Sequence, residues 1–149
     1  MKMNQELINF LIRAKQATYA GKGAETDPSR PGSHDLTYSE GDLTYYDTYL
    51  GGNQFGGEEA VWQNGKPIWC MNYMGRVTGH PFSADFLKEA LLRVPEDKPY
   101  RGPESYSSGM YTYQSSVTGN HFWFQGHEII LQGEKQIYDC YFHGGIIKD

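Results

Sequence analysis

Apolar residues recur three or four positions apart in two stretches of the chain, which is the spacing of one face of a helix. They predict helices over residues 4–18 and 84–94, with Asn4 and Ser83 as N-caps and Pro95 ending the second helix. Both stripes share the spacing Phe-Leu-x-x-Ala: Phe10, Leu11 and Ala14 in the first, and Phe86, Leu87 and Ala90 in the second. Each helix should therefore lay one apolar face on a common core.

The segments that follow each helix alternate in polarity with a period of two, which predicts short strands. Asn64-Gly65 tolerates the positive φ angles of a type I′ turn and indicates a hairpin. In the strand after that turn, Trp69, Met71 and Tyr73 share one face. We expect this apolar face to pack beneath the helices.

The two halves of the chain carry similar strand segments. "FGGEEAVWQNGKPIWCMNYMG" at 55–75 aligns without a gap to "FQGHEIILQGEKQIYDCYFHG" at 124–144. "YSEGDLTYYDTYLGG" at 38–52 likewise aligns to "YSSGMYTYQSSVTGN" at 106–120. The alternative explanation is chance agreement among aromatic strands, which all look somewhat alike.

From this match the sequence predicts an α+β fold of two tandem pseudo-repeats within a single domain, residues 1–149. Each half, about 1–76 and 77–149, would be a helix followed by antiparallel strands, giving about eight strands with two helices on one face. The connection after the first helix, within residues 21–35, is longer than its counterpart. Long connections of this kind are often functional.

Composition excludes several classes of function. The net charge of −5 and the scattered basic residues argue against direct nucleic-acid binding. No apolar stretch approaches the length of a membrane span or resembles a signal peptide. Cys70 and Cys140 form no spacing motif and are best interpreted as reduced thiols, which favours a cytoplasmic location. Aromatic residues make up 15% of the chain, with twelve Tyr, which is typical of a lined cleft or a half-wet sheet.

Several segments together resemble a bacterial domain-of-unknown-function family: "TYAGKGAE", "RPGSHDLTYSEGDLTYYDTYLGG", "FGGEEAVWQNGKPIWCMNYMGRV", "FLKEALLRVPEDKPYRGP" and "FHGGIIK". Members of that family occur alone or C-terminal to XRE-type helix-turn-helix regulators, and this chain would be the stand-alone form. The resemblance implies sensing by association and assigns no catalytic residue. The predicted architecture is also similar to gyrase-inhibitor-like effector-binding domains, which bind lipophilic or cationic compounds between two halves.

Candidate ligand-binding residues follow from these patterns. Glu59 and Glu128 are carboxylates at matching positions of the two halves, and a carboxylate among aromatic rings could hold a cation or act as a general base. The other reading is that each orders a turn or faces water. The long connection offers Arg30 and His34, of which Arg30 could equally pin its own loop. The aromatic wall of the predicted cleft would consist of Tyr45, Tyr49, Trp62 and Tyr113.

We expect a cytoplasmic small-molecule-binding or sensor domain with an aromatic-lined cleft between the halves, without a cofactor or a metal. The partner would be a small molecule, with no nucleic acid and no membrane. A homodimer is compatible with the sequence. One alternative is a hydrolase-like enzyme that uses a cleft Glu as general base with His34 or His143; a Glu and a His within hydrogen-bond reach in a closed pocket would favour it. Another is a protein-interaction module with exposed aromatic residues.

Overall fold

One antiparallel sheet of eight strands carries two helices in the computed structural model, which describes residues 5–149. The helices are α1 (Gln5–Ala17) and α2 (Ala84–Leu91). The first four strands are β1 (His34–Glu40), β2 (Leu43–Gly51), β3 (Gln54–Gln63) and β4 (Lys66–Val77). The last four are β5 (Ser105–Ser108), β6 (Tyr111–Asn120), β7 (Trp123–Gln132) and β8 (Lys135–Ile146).

The strand order in the sheet is β1-β2-β3-β4-β8-β7-β6-β5, so β4 and β8 lie side by side at the centre. Consecutive strands are joined by tight turns except for β4 and β5, which α2 separates, and each turn uses a residue with positive φ. Asn64 and Gly65 have φ of 50° and 78°, which confirms the predicted hairpin between β3 and β4. These turns fix the register, so alternate side chains of each strand point to the same face.

The core lies between the two helices and one face of the sheet. Trp69, Met71 and Tyr73 on β4 are buried there, as predicted, against the apolar stripes of α1 and α2. Ser83 caps α2 by accepting a hydrogen bond from the backbone N–H of Phe86 at 3.1 Å, which confirms its predicted role. The two helices therefore cover one face of the sheet.

The fold class predicted from the sequence is wrong. The structure is not a pair of α+β pseudo-repeats but one continuous sheet, in which strand accounts for 52% of the described residues. The helices are not equivalent units either: α1 has 13 residues and packs on β1 and β2, whereas α2 has 8 residues and packs on β6. The single domain of residues 1–149 and its division at about 76/77 stay predictions.

This prediction was wrong because the matched residues reflect local structure only. Alternating Tyr and Thr, a Gly at each positive-φ turn and an amphipathic helix are requirements of any hairpin or surface helix. Two such segments agree in sequence because each meets the same local requirements. The agreement reports hairpins rather than a repeated folding unit.

The predicted helix bounds also need correction. The second helix ends at Leu91 rather than at 94, because Arg93 and Val94 instead close short turns to Ala90 and Leu91. The proposed cap Asn4 lies outside the described residues. Within residues 5–149, neither helix has the length and apolar character needed to cross a membrane.

A candidate binding cavity beneath the helices

A cavity of about 450 Å³ lies between the helices and strands β2, β3 and β4. Its apolar wall is formed by Leu87 and Leu91 of α2 together with Phe55 and Phe82. Ring packing holds this wall in place, since Phe82 stacks on Tyr138 with ring centroids 5.6 Å apart. The volume is within the range of small-molecule sites.

The mouth of the cavity lies between the turn joining β2 and β3 and the start of α2, where exposed Gly52, Asn53 and Ala84 line it. The part of the rim formed by β1 and β2 is aromatic. His34 stacks on Tyr49 at 4.8 Å. A solvent-exposed Glu25 carboxylate lies 2.7 Å from His34 Nδ1. Burial raises the pKa of Tyr49 to about 12, so its phenol stays neutral at the rim.

Charged side chains form the floor. Lys15 reaches down from α1 and donates to Glu59 Oε1 at 2.5 Å and to the Tyr100 carbonyl at 2.7 Å. The phenol of Tyr45 also donates to Glu59 Oε1. Burial lowers the pKa of Lys15, and the neighbouring Glu59 only partly offsets this. The ammonium group therefore joins α1, β3 and the connection after α2 at one point.

Asp47 lies beside this pair, on the strand position directly opposite Glu59. It is 4% exposed, and Tyr73 donates to its Oδ1 at 2.5 Å. Burial first, and the charge of Glu59 second, raise the pKa of Asp47 to about 7. Gly57 makes this arrangement possible, because a Cβ there would come within 2.7 Å of the Tyr73 hydroxyl.

A second ion pair lies deeper, at the side of the cavity. Arg101, which lines the cavity, donates through Nε and Nη2 to the two carboxylate oxygens of Glu128 at 2.9 and 2.7 Å. Tyr113 and Tyr138 each donate to the same carboxylate at 2.7 Å. Burial would raise the pKa of Glu128, but Arg101 and these hydrogen bonds outweigh it, and the pKa lies below its ordinary value. Glu128 is therefore a fully satisfied structural anion.

Four of the eight predicted binding residues line the cavity: Glu59, Tyr45, Tyr49 and His34. Tyr45 and Tyr49 point inward because they are two and six positions from an inward-facing Leu43 on β2. The structure places the cavity under the helices rather than in a cleft between two halves. Whether these residues bind a ligand remains a prediction.

The other four lie elsewhere. Glu128 and Tyr113 are fully buried in the ion-pair cluster and do not line the cavity. The Trp62 ring meets Tyr46 on the open face of the sheet, away from the helices. Arg30 donates to Thr48 Oγ1 at 3.0 Å on that same face, so it pins its own loop. The matching positions of the two segments identified the carboxylates Glu59 and Glu128, but not which of them lines a cavity.

Sequence reasoning missed Lys15, Asp47, Tyr73 and Arg101 as cavity residues. Asp47 could have been found, since it lies between Tyr45 and Tyr49 at the same strand parity. Lys15 follows Leu11 by four residues and so continues the buried stripe of α1. Nothing in the sequence marks Arg101, whose position depends on the path of the connection after α2.

The structure bears on two other candidate chemistries. No group of three or more His, Cys, Asp or Glu side chains in the described part of the chain could hold a metal ion. The His34–Glu25 pair is at hydrogen-bond distance, but it lies on the exposed rim rather than in the enclosed part of the cavity. The geometry that would favour a Glu–His general base is therefore not found at the floor.

Comparison with known proteins gives a family. Residues 47–147, more than half of the chain, match the model of a family described as a domain of unknown function, DUF5680. The match carries nothing about XRE-type regulators or a gyrase-inhibitor-like relationship. No curated protein and no solved structure matches the chain.

Proposed function

The chain belongs to the DUF5680 family, and on that premise we propose that it binds a small organic molecule in the cavity beneath its helices and acts as a sensor. The observation that carries the proposal is the cavity itself, about 450 Å³ with apolar walls and a charged floor. Small-molecule sites combine such walls with a few convergent polar groups. Four charged or acidic side chains converge here, Lys15, Asp47, Glu59 and Arg101.

The charged floor supports binding because it is costly for stability alone. Buried ion pairs are often no better for stability than apolar residues of the same volume. Asp47 and Glu59, directly opposite on neighbouring strands, also repel one another when both are ionised. A sequence that keeps two acids in this position is consistent with selection for a ligand.

Sensing is supported by the way α1 is attached. Lys15 is the link from this helix to both Glu59 and the Tyr100 carbonyl. A ligand that competes for Glu59 would loosen or tighten that link and shift α1. We place the protein in the cytoplasm, a proposal supported by the free thiols Cys70 and Cys140.

The hydrolase-like alternative has less support, because the His34–Glu25 pair lies on the exposed rim. The interaction-module alternative draws on exposed apolar residues of the open sheet face, such as Met74 and Tyr141. Neither alternative makes use of the cavity.

The test is native mass spectrometry of the protein purified from the cells in which it naturally occurs. We expect a retained small molecule in the wild type and its loss in Ala84→Trp, since Ala84 is exposed at the mouth and an indole there blocks entry. Glu89→Trp is the matched control, because Glu89 is exposed on the same helix and does not line the cavity.

Thermal-shift screening of a metabolite library extends the test to weak ligands. A compound that raises Tm in the wild type and in Glu89→Trp but not in Ala84→Trp binds in the cavity. The proposal fails if no species is retained and no compound shows this pattern, or if binding is equal in all three proteins.

A further inference from the structure

The charges buried around the cavity do not balance. Five carboxyl, ammonium or guanidinium groups are buried there, and four of them form the pairs Lys15–Glu59 and Arg101–Glu128. Asp47 is the fifth, and no cation in the described part of the chain forms an ion pair with it. Among residues 5–149, the groups buried around the cavity thus include one carboxyl group more than cations.

The Asp47 carboxyl group is aimed into the cavity with half of its hydrogen-bonding capacity unused. Tyr73 occupies Oδ1, and no second donor to this carboxyl group is found among residues 5–149. Oδ2 has no hydrogen-bond partner among these residues and is not fully enclosed by protein. Because Asp47 lines the cavity, this oxygen is accessible from it. An ionised carboxylate can accept several hydrogen bonds, and a buried one is costly when left with a single donor.

The other groups that face Asp47 do not supply the missing charge. Lys15 already donates to Glu59 and to a carbonyl group, and Arg101 is engaged with Glu128. The titratable and charged groups around Asp47 are Lys15 from α1, Tyr19 from the connection after α1, Tyr45 and Tyr49 from its own strand, Glu59 from β3, Tyr73 from β4, and Arg101 from the connection after α2. The raised pKa of Asp47 agrees with this account, because burial and Glu59 together disfavour its ionised form.

We propose that the cavity is selective for an organic cation, an ammonium group on an aromatic or apolar body, whose charge lies against Asp47 Oδ2. This rests on the proposed function and specifies its ligand class. The ammonium group supplies the counter-charge and the donors that Asp47 lacks. Aromatic rings at Tyr49 and Phe55 also line the cavity and favour a cation over their faces. An anionic ligand would meet two carboxylates and, among the side chains described at the cavity, no unengaged cation.

Binding of such a cation is coupled to a proton. At a pH below about 7, the ammonium group displaces the proton of Asp47, which leaves to solvent. Affinity for an amine that stays protonated throughout should therefore fall about tenfold for each pH unit below 7. Above pH 7 it should level off.

The probes are 2-phenylethylamine and its neutral isostere 2-phenylethanol, titrated by calorimetry into the whole protein. We expect the wild type at pH 8 to bind the amine at least tenfold more tightly than the alcohol. In Asp47→Asn, which keeps the shape of the side chain, this preference should disappear. Glu58→Gln, an exposed carboxylate on the open face, is the control and should keep the preference.

The outcomes separate this inference from the proposed function. If amine and alcohol bind equally, or if the preference survives in Asp47→Asn, the cation is not held by Asp47 and the inference is overturned, whereas small-molecule binding stands. A retained natural ligand that is anionic would likewise overturn the inference and leave small-molecule binding standing. If neither probe binds at all, the ligand class is also wrong, and the mass-spectrometric test then decides on the cavity separately.

Discussion

Replacing Asp47 with Asn should stabilise the empty protein at alkaline pH. Asparagine has the same shape, and its carbonyl oxygen can still accept the hydrogen bond from Tyr73. It lacks the charge that burial and Glu59 disfavour. The wild type alone should therefore lose stability as Asp47 ionises.

The sign and size of this change in unfolding free energy follow from the pKa of Asp47. The pKa of Asp47 is about 7 in the folded protein, against an ordinary value of 3.8. Because the folded value is raised, the contribution of Asp47 to stability is fully present below about pH 4 and is lost as the pH rises to about 7. Each unit is worth about 1.4 kcal/mol. Between pH 5 and pH 8 the wild type should lose about 3 kcal/mol relative to the variant.

The assay is urea unfolding followed by tryptophan fluorescence, at pH 5 and pH 8, on protein refolded from urea so that any bound molecule is removed. The quantity to compare is the difference in unfolding free energy between the variant and the wild type, at pH 5 and at pH 8. Contributions of distant titrating groups are the same in both proteins and cancel in this difference. Glu58→Gln should stay within about 0.5 kcal/mol of the wild type at both pH values. A pH-independent difference for Asp47→Asn would refute the reasoning, as would a difference of opposite sign.

Three further substitutions test the packing around the site. Arg101→Met should cost about 3–5 kcal/mol of unfolding free energy, because it leaves the carboxylate of Glu128 buried without a cation; adding Glu128→Gln should recover part of the loss, and no recovery would contradict this assignment. Gly57→Ala should cost about 1–3 kcal/mol through overpacking, measured as a fall in Tm, whereas Gly52→Ala, with no atom within 4 Å of its Cβ, should be neutral. Ser83→Ala should cost about 1 kcal/mol in urea unfolding by removing the cap of α2, and an unchanged midpoint would show that the cap contributes nothing.

Local features of the fold could be predicted because they are set by neighbouring residues. The cap at Ser83, the turn at Asn64-Gly65 and the buried face of β4 each depend on a few adjacent positions. The relation between the two halves depends instead on how distant elements pack, and there the sequence match misled. Similar letters near Phe55 and Phe124 reflect similar hairpins, not a repeated unit.

The candidate site was predicted in part for a related reason. Strand parity gives the face of a side chain, and Tyr45 and Tyr49 lie together on the face of the sheet that the helices cover. It does not give the distance from the helices, so Tyr113 at the same kind of position is enclosed rather than lining a space. Arg101 comes from an irregular segment, and its position follows only from the three-dimensional path of the chain.

The position of Lys15 has a practical consequence for how the family is handled in the laboratory. The segment that matches the family model begins at Asp47, so a fragment trimmed to residues 47–147 omits α1, β1 and the start of β2. Such a fragment would expose the core that α1 shields and deprive Glu59 of its ammonium partner. We expect it to be insoluble or only partly folded, and cloning boundaries for relatives should reach back to a helix ahead of the recognised segment.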